Sequence, residues 1–403
     1  MIKKYFEPNT ELTGVDKRGR CTYEVRGTLG AGGQGDVYLA NRTYDAGGPL
    51  DTVAVKVPDP RAVGRSGYFS GAATAHVGSI RNAAIADAPA QVVFTNAQGD
   101  PDQATVLVMP HVPGDAIANS MHDKNKPLGA AATANVLGQM ALTLRDLEER
   151  KLVHRDIKPL NIMQTPAGAD ATSRATLVDW DLAVEAGAPV HPSGTLQYMA
   201  PESMLGHPPH PKSDMYGLGA SAVTMMTNQT PRTFGKIPRA EAERRVCSGE
   251  PMRDVGSPYL GLVIDRATTF DMTKRSDATD LMVDLLPLPE ATRTWKDGDF
   301  QRCADRLIQR HIGAARSAHG VIDAFASRAL LSHLPADHPD RDSIGLIEKE
   351  GAPLRGAWAT AHGEPAQYQV KDPAFQTTDL QPDAPWLPSS ISMDSTQPMP
   401  RRM

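Results

Sequence analysis

The chain has 403 residues, enough to bury one large core or two lobes. Its formal net charge is −5 with mixed signs, which argues against a nucleic-acid-binding surface, and its three cysteines are too scattered for a disulfide framework or zinc site. No apolar run is long enough to predict a membrane span, and the first residues lack the apolar core of a secretory signal. We therefore expect a soluble, cytoplasmic protein of unspecified oligomeric state.

The first third of the chain predicts a β-rich lobe. Residues 1–20 are polar and are expected to be a flexible lead-in. Short apolar and β-branched runs between turn residues predict strands at Tyr23–Leu29, Val37–Thr43, Val53–Val57, Gln91–Thr95 and Thr105–Met109. The Ala-rich stretch between the third and fourth strands, Tyr68 to Ala88, is the expected place for one helix.

A glycine-rich turn separates the first two predicted strands. Gly30, Gly32 and Gly35, followed by Val37, form the pattern G-x-G-x-x-G-x-V. This pattern alone is weak, because dinucleotide-binding folds carry a similar triplet. Here a strand rather than a helix follows the glycines, which predicts a hairpin tip whose backbone can approach phosphates closely. The next predicted strand contains the pattern V-A-V-K, whose lysine is Lys56.

The most specific motif is the run of eight residues H-R-D-I-K-P-L-N, which begins at His154 and ends at Asn161. It sets Asp156, Lys158 and Asn161 at fixed spacing. A carboxylate here can accept a hydroxyl proton, a lysine can neutralise charge on a moving phosphoryl group, and an asparagine oxygen can bind Mg²⁺. The alternative is a solvated charged turn, but so specific an octapeptide seldom arises by chance.

Three further motifs follow in chain order. A predicted strand ends in Asp179-Trp180-Asp181, residues 194–202 read G-T-L-Q-Y-M-A-P-E, and residues 213–219 read S-D-M-Y-G-L-G. Together with the earlier motifs, they resemble a eukaryotic-like protein kinase over residues 21 to 286. A lysine at the position of Lys158 is typical of the Ser/Thr branch of that family. Arg275 resembles the family's arginine that would pair with Glu202.

The resemblance implies an α+β fold of two lobes, of which the first is small and β-rich and the second is larger and helical. It also implies an enzyme that transfers the γ-phosphoryl group of ATP to Ser or Thr hydroxyls of protein substrates. Asp156 would be the catalytic base, assisted by Lys158, Lys56 and Thr195, and the metal ligands would be Asn161 and Asp179. The expected nucleotide-binding residues are Gly30, Gly32, Gly35, Val37, Ala54, Lys56, Met109, Pro110, Val112 and Met163.

Residues 106–114 resemble the family's linker, at which adenine forms hydrogen bonds with backbone groups. Pro110 lies where only a carbonyl is used, so its missing N–H costs nothing, and Val112 would supply the N–H.

The chain departs from the family in one respect. The strand lysine usually pairs with a glutamate of the small-lobe helix, yet residues 25–147 contain no glutamate. Helical spacing puts His76 or Ser79 at that position, and Asp87 is the only acid in the predicted helix. Asp181 replaces the glycine that usually follows the aromatic residue, so we expect a stiffer hinge there.

The segment between Asp179 and Glu202 is short. Its hydroxyl residues besides Tyr198 are Ser193 and Thr195. Because Thr195 belongs to the active-site motif, Ser193 is the only candidate for a phosphorylation switch, and we expect activity without a loop phosphate.

The motifs also predict the boundaries of the two lobes and of the segments that follow them. We expect a small lobe at 21–112, a large lobe at 113–286 whose clearest amphipathic helix is Ala131 to Lys151, a helical extension at 287–351 and a disordered tail at 352–403.

Two other functions stay open. One is a nucleotide-binding pseudokinase scaffold, and the other is a nucleotidyl transferase of the same fold. The complete set of Lys56, Asp156, Lys158, Asn161 and Asp179 favours an active kinase.

Overall fold

A computed structural model describes residues 6–16, 18–32, 35–59, 79–86, 90–96, 99–166, 173–312 and 320–365. Its first part is a six-stranded closed barrel with strand order β1-β2-β3-β4-β6-β5. The strands are β1 (Glu11–Asp16), β2 (Gly19–Gly32), β3 (Gly35–Tyr44), β4 (Asp51–Pro58), β5 (Ala90–Thr95) and β6 (Pro101–Pro110). The five strands predicted in this part are confirmed.

The expectation of a flexible lead-in is wrong for the described residues between 6 and 20. β1 closes the barrel by pairing with both β2 and β5. Leu12 is fully buried, and the ring of Phe6 packs on Tyr38 and Phe94 with centroids 5.2 and 4.9 Å apart. β1 was missed because only two of its side chains, Leu12 and Val15, are large and apolar, which is too few to reveal the alternation of a strand.

The predicted small-lobe helix, Tyr68 to Ala88, falls mostly on residues that lie outside the described part of the chain, 68–78 and 87–88, which include His76 and Asp87. Its described part, 79–86, forms a turn followed by an isolated bridge between Ala83 and Leu177.

The second part of the chain is mainly helical. Its short strands are β7 (Asp115–Ala116), β8 (Leu152–Val153), β9 (Ile162–Thr165), β10 (Arg174–Leu177) and β11 (Val184–Glu185), in sheets of order β10-β9-β7 and β11-β8. Its helices are α1 (Ile117–Lys124), α2 (Ala130–Glu149), α3 (Pro201–Met204), α4 (Pro211–Thr227), α5 (Arg239–Cys247), α6 (Pro258–Ala267), α7 (Ala278–Leu285), α8 (Pro289–Thr292), α9 (Asp297–Ile312), α10 (Gly320–His333) and α11 (Arg341–His362). Among the described residues, no helix is both long and apolar enough to cross a bilayer.

Helix α2 lies at the centre of the helical lobe. Every residue from 133 to 147 is buried, and the predicted helix at Ala131 to Lys151 is confirmed within two residues at each end. Helices α9 to α11 share its apolar core, since Leu307, Phe325 and Ile344 belong to the same buried cluster.

Ion pairs also attach the last helices to the lobe. The guanidinium of Arg310 in α9 bonds to Asp280 and Asp284 of α7, at 3.1 and 2.8 Å. Asp299, at the start of α9, pairs with Arg145 at 2.8 Å and with Arg81 at 3.0 Å. The extension is therefore tied to α2 and to the segment that precedes β5.

The expectation that disorder begins at residue 352 is wrong up to His362, the end of α11. The expectation rested on a composition rich in Pro, Asp, Gln and Ser, yet Pro353 lies inside the helix. Trp358 stabilises this end by packing on Phe325 and Tyr259, with ring centroids 5.4 and 5.9 Å apart. Residues 366–403 lie outside the described part of the chain.

Candidate active site

One face of the barrel carries most of the predicted nucleotide-binding side chains. Val37 of β3 lies opposite Lys56 of β4, and Met109 of β6 lies opposite Ala54. Because successive side chains alternate across a strand, these four share the face that points away from the barrel interior. Leu107, opposite Lys56, lies on this face as well and was not predicted. Pro110, at the end of β6, pairs with Val53, and Val112 follows the strand.

The predicted glycines lie at the tip of the β2–β3 hairpin, where Gly30 pairs with Val37 and Gly32 with Gly35. Gly35 has a φ of +136°, and a Cβ there would lie 2.2 Å from the carbonyl oxygen of Val57. Only glycine fits this position. A Cβ on Gly30 would meet nothing within 4 Å, so the fold itself does not require glycine there.

The H-R-D loop runs from β8 to a 3-10 turn at Pro159–Asn161. Asp214, in the first turn of α4, accepts hydrogen bonds from the backbone N–H groups of His154 and Arg155 at 2.6 and 2.8 Å. Burial raises the pKa of Asp214 to about 7, and these two N–H groups oppose that rise. The two hydrogen bonds to Asp214 hold the loop in place although Arg155 has a φ of +71°.

His154 connects the loop to the segment that follows β10. Its fully buried ring has Nε2 3.2 Å from the carbonyl oxygen of Val178 and Nδ1 3.4 Å from the backbone nitrogen of Asp156. The ring of Trp180 stands edge-on to it at 4.8 Å. Burial lowers the pKa of His154, which fits a neutral ring that donates at Nε2 and accepts at Nδ1.

The Asp156 carboxylate is the centre of the cluster. Oδ1 accepts from the backbone N–H and the hydroxyl of Thr195 at 3.0 and 2.9 Å. Oδ2 accepts from the Lys158 ammonium at 2.7 Å and from the Asn161 amide at 3.1 Å. The Lys158 ammonium also donates to the Thr195 hydroxyl at 2.8 Å. The structure thus brings these four predicted residues together in one hydrogen-bonded group.

Gly194 allows the activation segment, residues 179–202, to approach this loop. Its φ is +123°, and a Cβ there would lie 2.7 Å from the carbonyl oxygen of Arg155. At the end of the segment, the guanidinium of the fully buried Arg275 donates two hydrogen bonds to the carboxylate of Glu202, at 2.6 and 3.0 Å, so the predicted pair is confirmed. Ser213 donates to the same carboxylate at 2.8 Å.

The family model for the protein kinase domain matches residues 23–294. The chain belongs to the eukaryotic-like Ser/Thr protein kinase family.

Curated relatives of this kinase chain come from several bacteria. It is 26% identical over 279 residues to Ser/Thr-protein kinase C of Synechocystis, covering 66% of this chain and 49% of that protein. It is 36% identical over 131 residues to PknA of Mycobacterium tuberculosis, covering 31% and 29%, and 31% identical over 181 residues to PkaA of Streptomyces coelicolor, covering 43% and 32%. The chain therefore spans about half or less of the length of these relatives.

The predicted phosphate-binding lysine of this kinase has two carboxylate partners. Lys56 Nζ lies 2.8 Å from Asp179 Oδ1 and 2.5 Å from Asp181 Oδ2. Burial acts to lower the pKa of Lys56, but the two carboxylates outweigh it and raise the pKa. Burial likewise opposes ionisation of Asp179, yet Lys56 holds the pKa of Asp179 below its usual range. Sequence reasoning missed this role of Asp181, although the absence of glutamate from residues 25–147 was a signal.

Asn161 and Asp179 are adjacent in the fold, because the N–H of Val178 donates to the carbonyl oxygen of Asn161 at 2.9 Å. The amide nitrogen of Asn161 is bonded to Asp156, which leaves the amide oxygen as the atom that can bind a cation. An amide oxygen and a carboxylate suit Mg²⁺, so the donor set fits that ion.

Met163 lies in β9 of the helical lobe, paired with Ala116 and Thr176, and its side chain is half-buried. Arg155 is bonded through its guanidinium to two backbone carbonyls, those of His191 at 2.6 Å and Leu182 at 3.3 Å.

Proposed function

We propose that this chain transfers the γ-phosphoryl group of ATP to Ser or Thr hydroxyls of protein substrates. The observation that carries the proposal is the cluster of Asp156, Lys158, Thr195 and Asn161, in which one carboxylate receives four hydrogen bonds. Such a carboxylate has a fixed direction, as a base must have to meet a hydroxyl proton at hydrogen-bond distance.

In the proposed reaction the substrate hydroxyl gives its proton to Asp156 as its oxygen forms a bond to the γ-phosphorus. The bond from that phosphorus to the β–γ bridging oxygen breaks, and its electron pair leaves with ADP. Lys158, bonded to both Asp156 and Thr195, is held where it can neutralise charge on the moving group. Asn161 and Asp179 would hold Mg²⁺, which supplies charge neutralisation at the phosphate oxygens.

The nucleotide would bind against the face of the barrel that points away from its interior. Val37, Ala54 and Met109 share that face and offer apolar surface to adenine, with Met163 proposed on its other side. The carbonyl of Pro110 and the N–H of Val112 would bond to the adenine edge. The hairpin glycines Gly30, Gly32 and Gly35 would cover the phosphates, and Lys56 would hold the α and β groups.

Isotope labelling tests the proposal against the other two functions. The purified chain, with Mg²⁺ and a mixture of casein and myelin basic protein as acceptors, is incubated with ATP labelled at either the α or the γ position. We expect label in protein, including the chain itself, only from the γ position. Label from the α position would identify a nucleotidyl transferase, and ATP binding without any label transfer would identify a scaffold.

Asp156→Ala is the matched control for this assay. The base touches the nucleophile and not the nucleotide, so the variant should lose label transfer but bind ATP with nearly unchanged affinity in calorimetry. If it retained more than about a tenth of the wild-type rate, Asp156 would not be the base.

A further inference from the structure

We propose that Asp181 is the positioning residue for Lys56, in place of the glutamate that the small-lobe helix usually provides. This inference rests on the proposed function, since it assigns a residue that prepares Lys56 for the phosphates of ATP. Asp181 acts through Lys56 and touches neither substrate nor metal in this assignment.

The sequence lacks the usual glutamate partner of this lysine. Residues 60–86, which include most of the predicted helix, contain neither aspartate nor glutamate, and residues 25–147 contain no glutamate. Lys56 is nonetheless 6% exposed, and an ammonium so deeply buried is costly unless an anion lies beside it. The predicted helix offers one acid, Asp87 near its end, which lies outside the described residues, and the anions described beside Lys56 come from another segment.

The geometry supplies two anions from one short segment. Asp181 Oδ2 lies 2.5 Å from Lys56 Nζ, and Asp179 Oδ1 lies 2.8 Å from it. The side chain of Asp181 is 6% exposed, whereas that of Asp179 is 23% exposed and is the proposed metal ligand. When Asp179 is engaged by a cation, Asp181 is the described contact of Lys56 that remains to orient the ammonium.

The backbone around Asp181 is held on both sides. The N–H of Ala183 donates to the carbonyl of Trp180 at 3.0 Å, and the indole of Trp180 packs on His154. Beyond the turn, Val184 pairs with Val153 in the two-stranded sheet β11-β8. Lys56 is thereby oriented from the same segment that carries the metal ligand, so its orientation does not require movement of the small-lobe helix.

Kinetics on three substitutions provide the first test. Asp181→Asn keeps the shape and removes the charge, so kcat/KM for ATP should fall roughly 10- to 100-fold. Asp181→Glu keeps the charge and should recover most of that loss. In a Lys56→Met background, where no ammonium is left to orient, Asp181→Asn should cause no further loss of nucleotide affinity. A merely structural role would give additive losses.

A second readout does not depend on activity. Acetic anhydride labelling of Lys56 in the nucleotide-free chain, followed by peptide mass spectrometry across a pH series, reports the pH at which the amine loses its proton. Removing an adjacent anion disfavours the protonated amine, so Asp181→Asn should move the labelling midpoint to lower pH and Asp181→Glu should not. Asp299→Asn, which removes an equally buried carboxylate paired with Arg145 and Arg81, should leave the midpoint unchanged.

The outcomes separate this inference from the proposed function. An active wild type whose Asp181→Asn variant keeps both its kcat/KM and its labelling midpoint overturns the inference and leaves the kinase proposal standing. If the wild type transfers no γ label, the kinase proposal fails, and the labelling midpoint still decides whether Asp181 pairs with Lys56. Should Asp181→Asn fail to fold, Asp181→Glu decides: a midpoint near that of the wild type supports the pairing, and a lowered one overturns it.

Discussion

The ammonium of Lys158 lies 2.8 Å from the hydroxyl of Thr195, and both groups also contact the carboxylate of Asp156. Thr195 belongs to the activation segment, whereas the other two residues belong to the H-R-D loop. The position of the lysine therefore depends on how the activation segment lies on the loop. The Thr195 hydroxyl is the group of the segment that contacts the Lys158 ammonium.

Thr195→Val keeps the shape of the side chain but removes this hydroxyl. We expect kcat to fall about 10- to 100-fold because Lys158 loses one of the two groups that orient it. The affinity for ATP in calorimetry should change little, since the described side-chain hydrogen bonds of Thr195 go to Asp156 and Lys158, neither of which is a proposed nucleotide-binding residue. Thr195→Ser retains the hydroxyl and should retain most of the activity. Equal rates for the valine and serine variants would contradict this role.

Activity should not require a phosphate on the activation segment. Arg155, the residue to which a loop phosphate would bind, already donates to the carbonyls of His191 and Leu182. Ser193 lies beside this contact and donates to the same carbonyl of His191 at 3.2 Å. Phosphatase-treated chain and the Ser193→Ala variant should both keep kcat within about threefold of the untreated wild type. A large loss in both would show that the phosphate is needed.

The buried pair of Glu202 and Arg275 should contribute strongly to stability. Its bonds of 2.6 and 3.0 Å join the end of the activation segment to the residues before α7. Glu202→Ala leaves a buried guanidinium without its carboxylate and should lower the free energy of unfolding by about 3–5 kcal/mol. Glu243→Ala, which breaks an exposed pair with Arg239, should cost under about 1 kcal/mol.

Urea unfolding at neutral pH measures both variants of this comparison. If Glu202→Ala and Glu243→Ala lowered the free energy of unfolding by similar amounts, burial of the pair of Glu202 and Arg275 would add nothing to stability.

Glu148 should make the fold less stable as pH rises. Burial, helped by the carboxylates of Asp277 and Asp280, raises the pKa of Glu148 from 4.5 to about 8. The folded chain thus keeps a proton that the unfolded chain releases, and stability is lost between about pH 4.5 and pH 8. Glu148→Gln does not titrate and can still accept from the N–H of Ala278, which lies 3.1 Å from Glu148 Oε1.

The free energy of unfolding of Glu148→Gln, relative to wild type, should therefore be higher at pH 8.5 than at pH 5. Urea unfolding at both pH values measures this difference. The control is Glu149→Gln, which makes the same substitution at the neighbouring exposed residue. A difference that does not change with pH would contradict the raised pKa.

The sequence by itself determined the H-R-D loop, which we propose to be catalytic. Asp156, Lys158 and Asn161 lie within six residues, so their relative positions follow from a short stretch of backbone, and the motif identifies them directly. Five of the six barrel strands were similarly predictable, because alternation of side chains is a local property. The strand pairing decided that Val37, Ala54, Lys56 and Met109 share one face.

Tertiary structure alone decided which groups meet across long separations. Asp181 reaches Lys56 over 125 residues, and no local pattern distinguishes an acid that pairs with a lysine from one that stiffens a turn. β1 is a strand only because both its edges find partners in the barrel, and the end of α11 is ordered by aromatic contacts with Phe325 and Tyr259. Such contacts depend on how the elements pack. The free energy that orders a segment rich in polar residues, glycine or proline comes from partners that are distant in the chain.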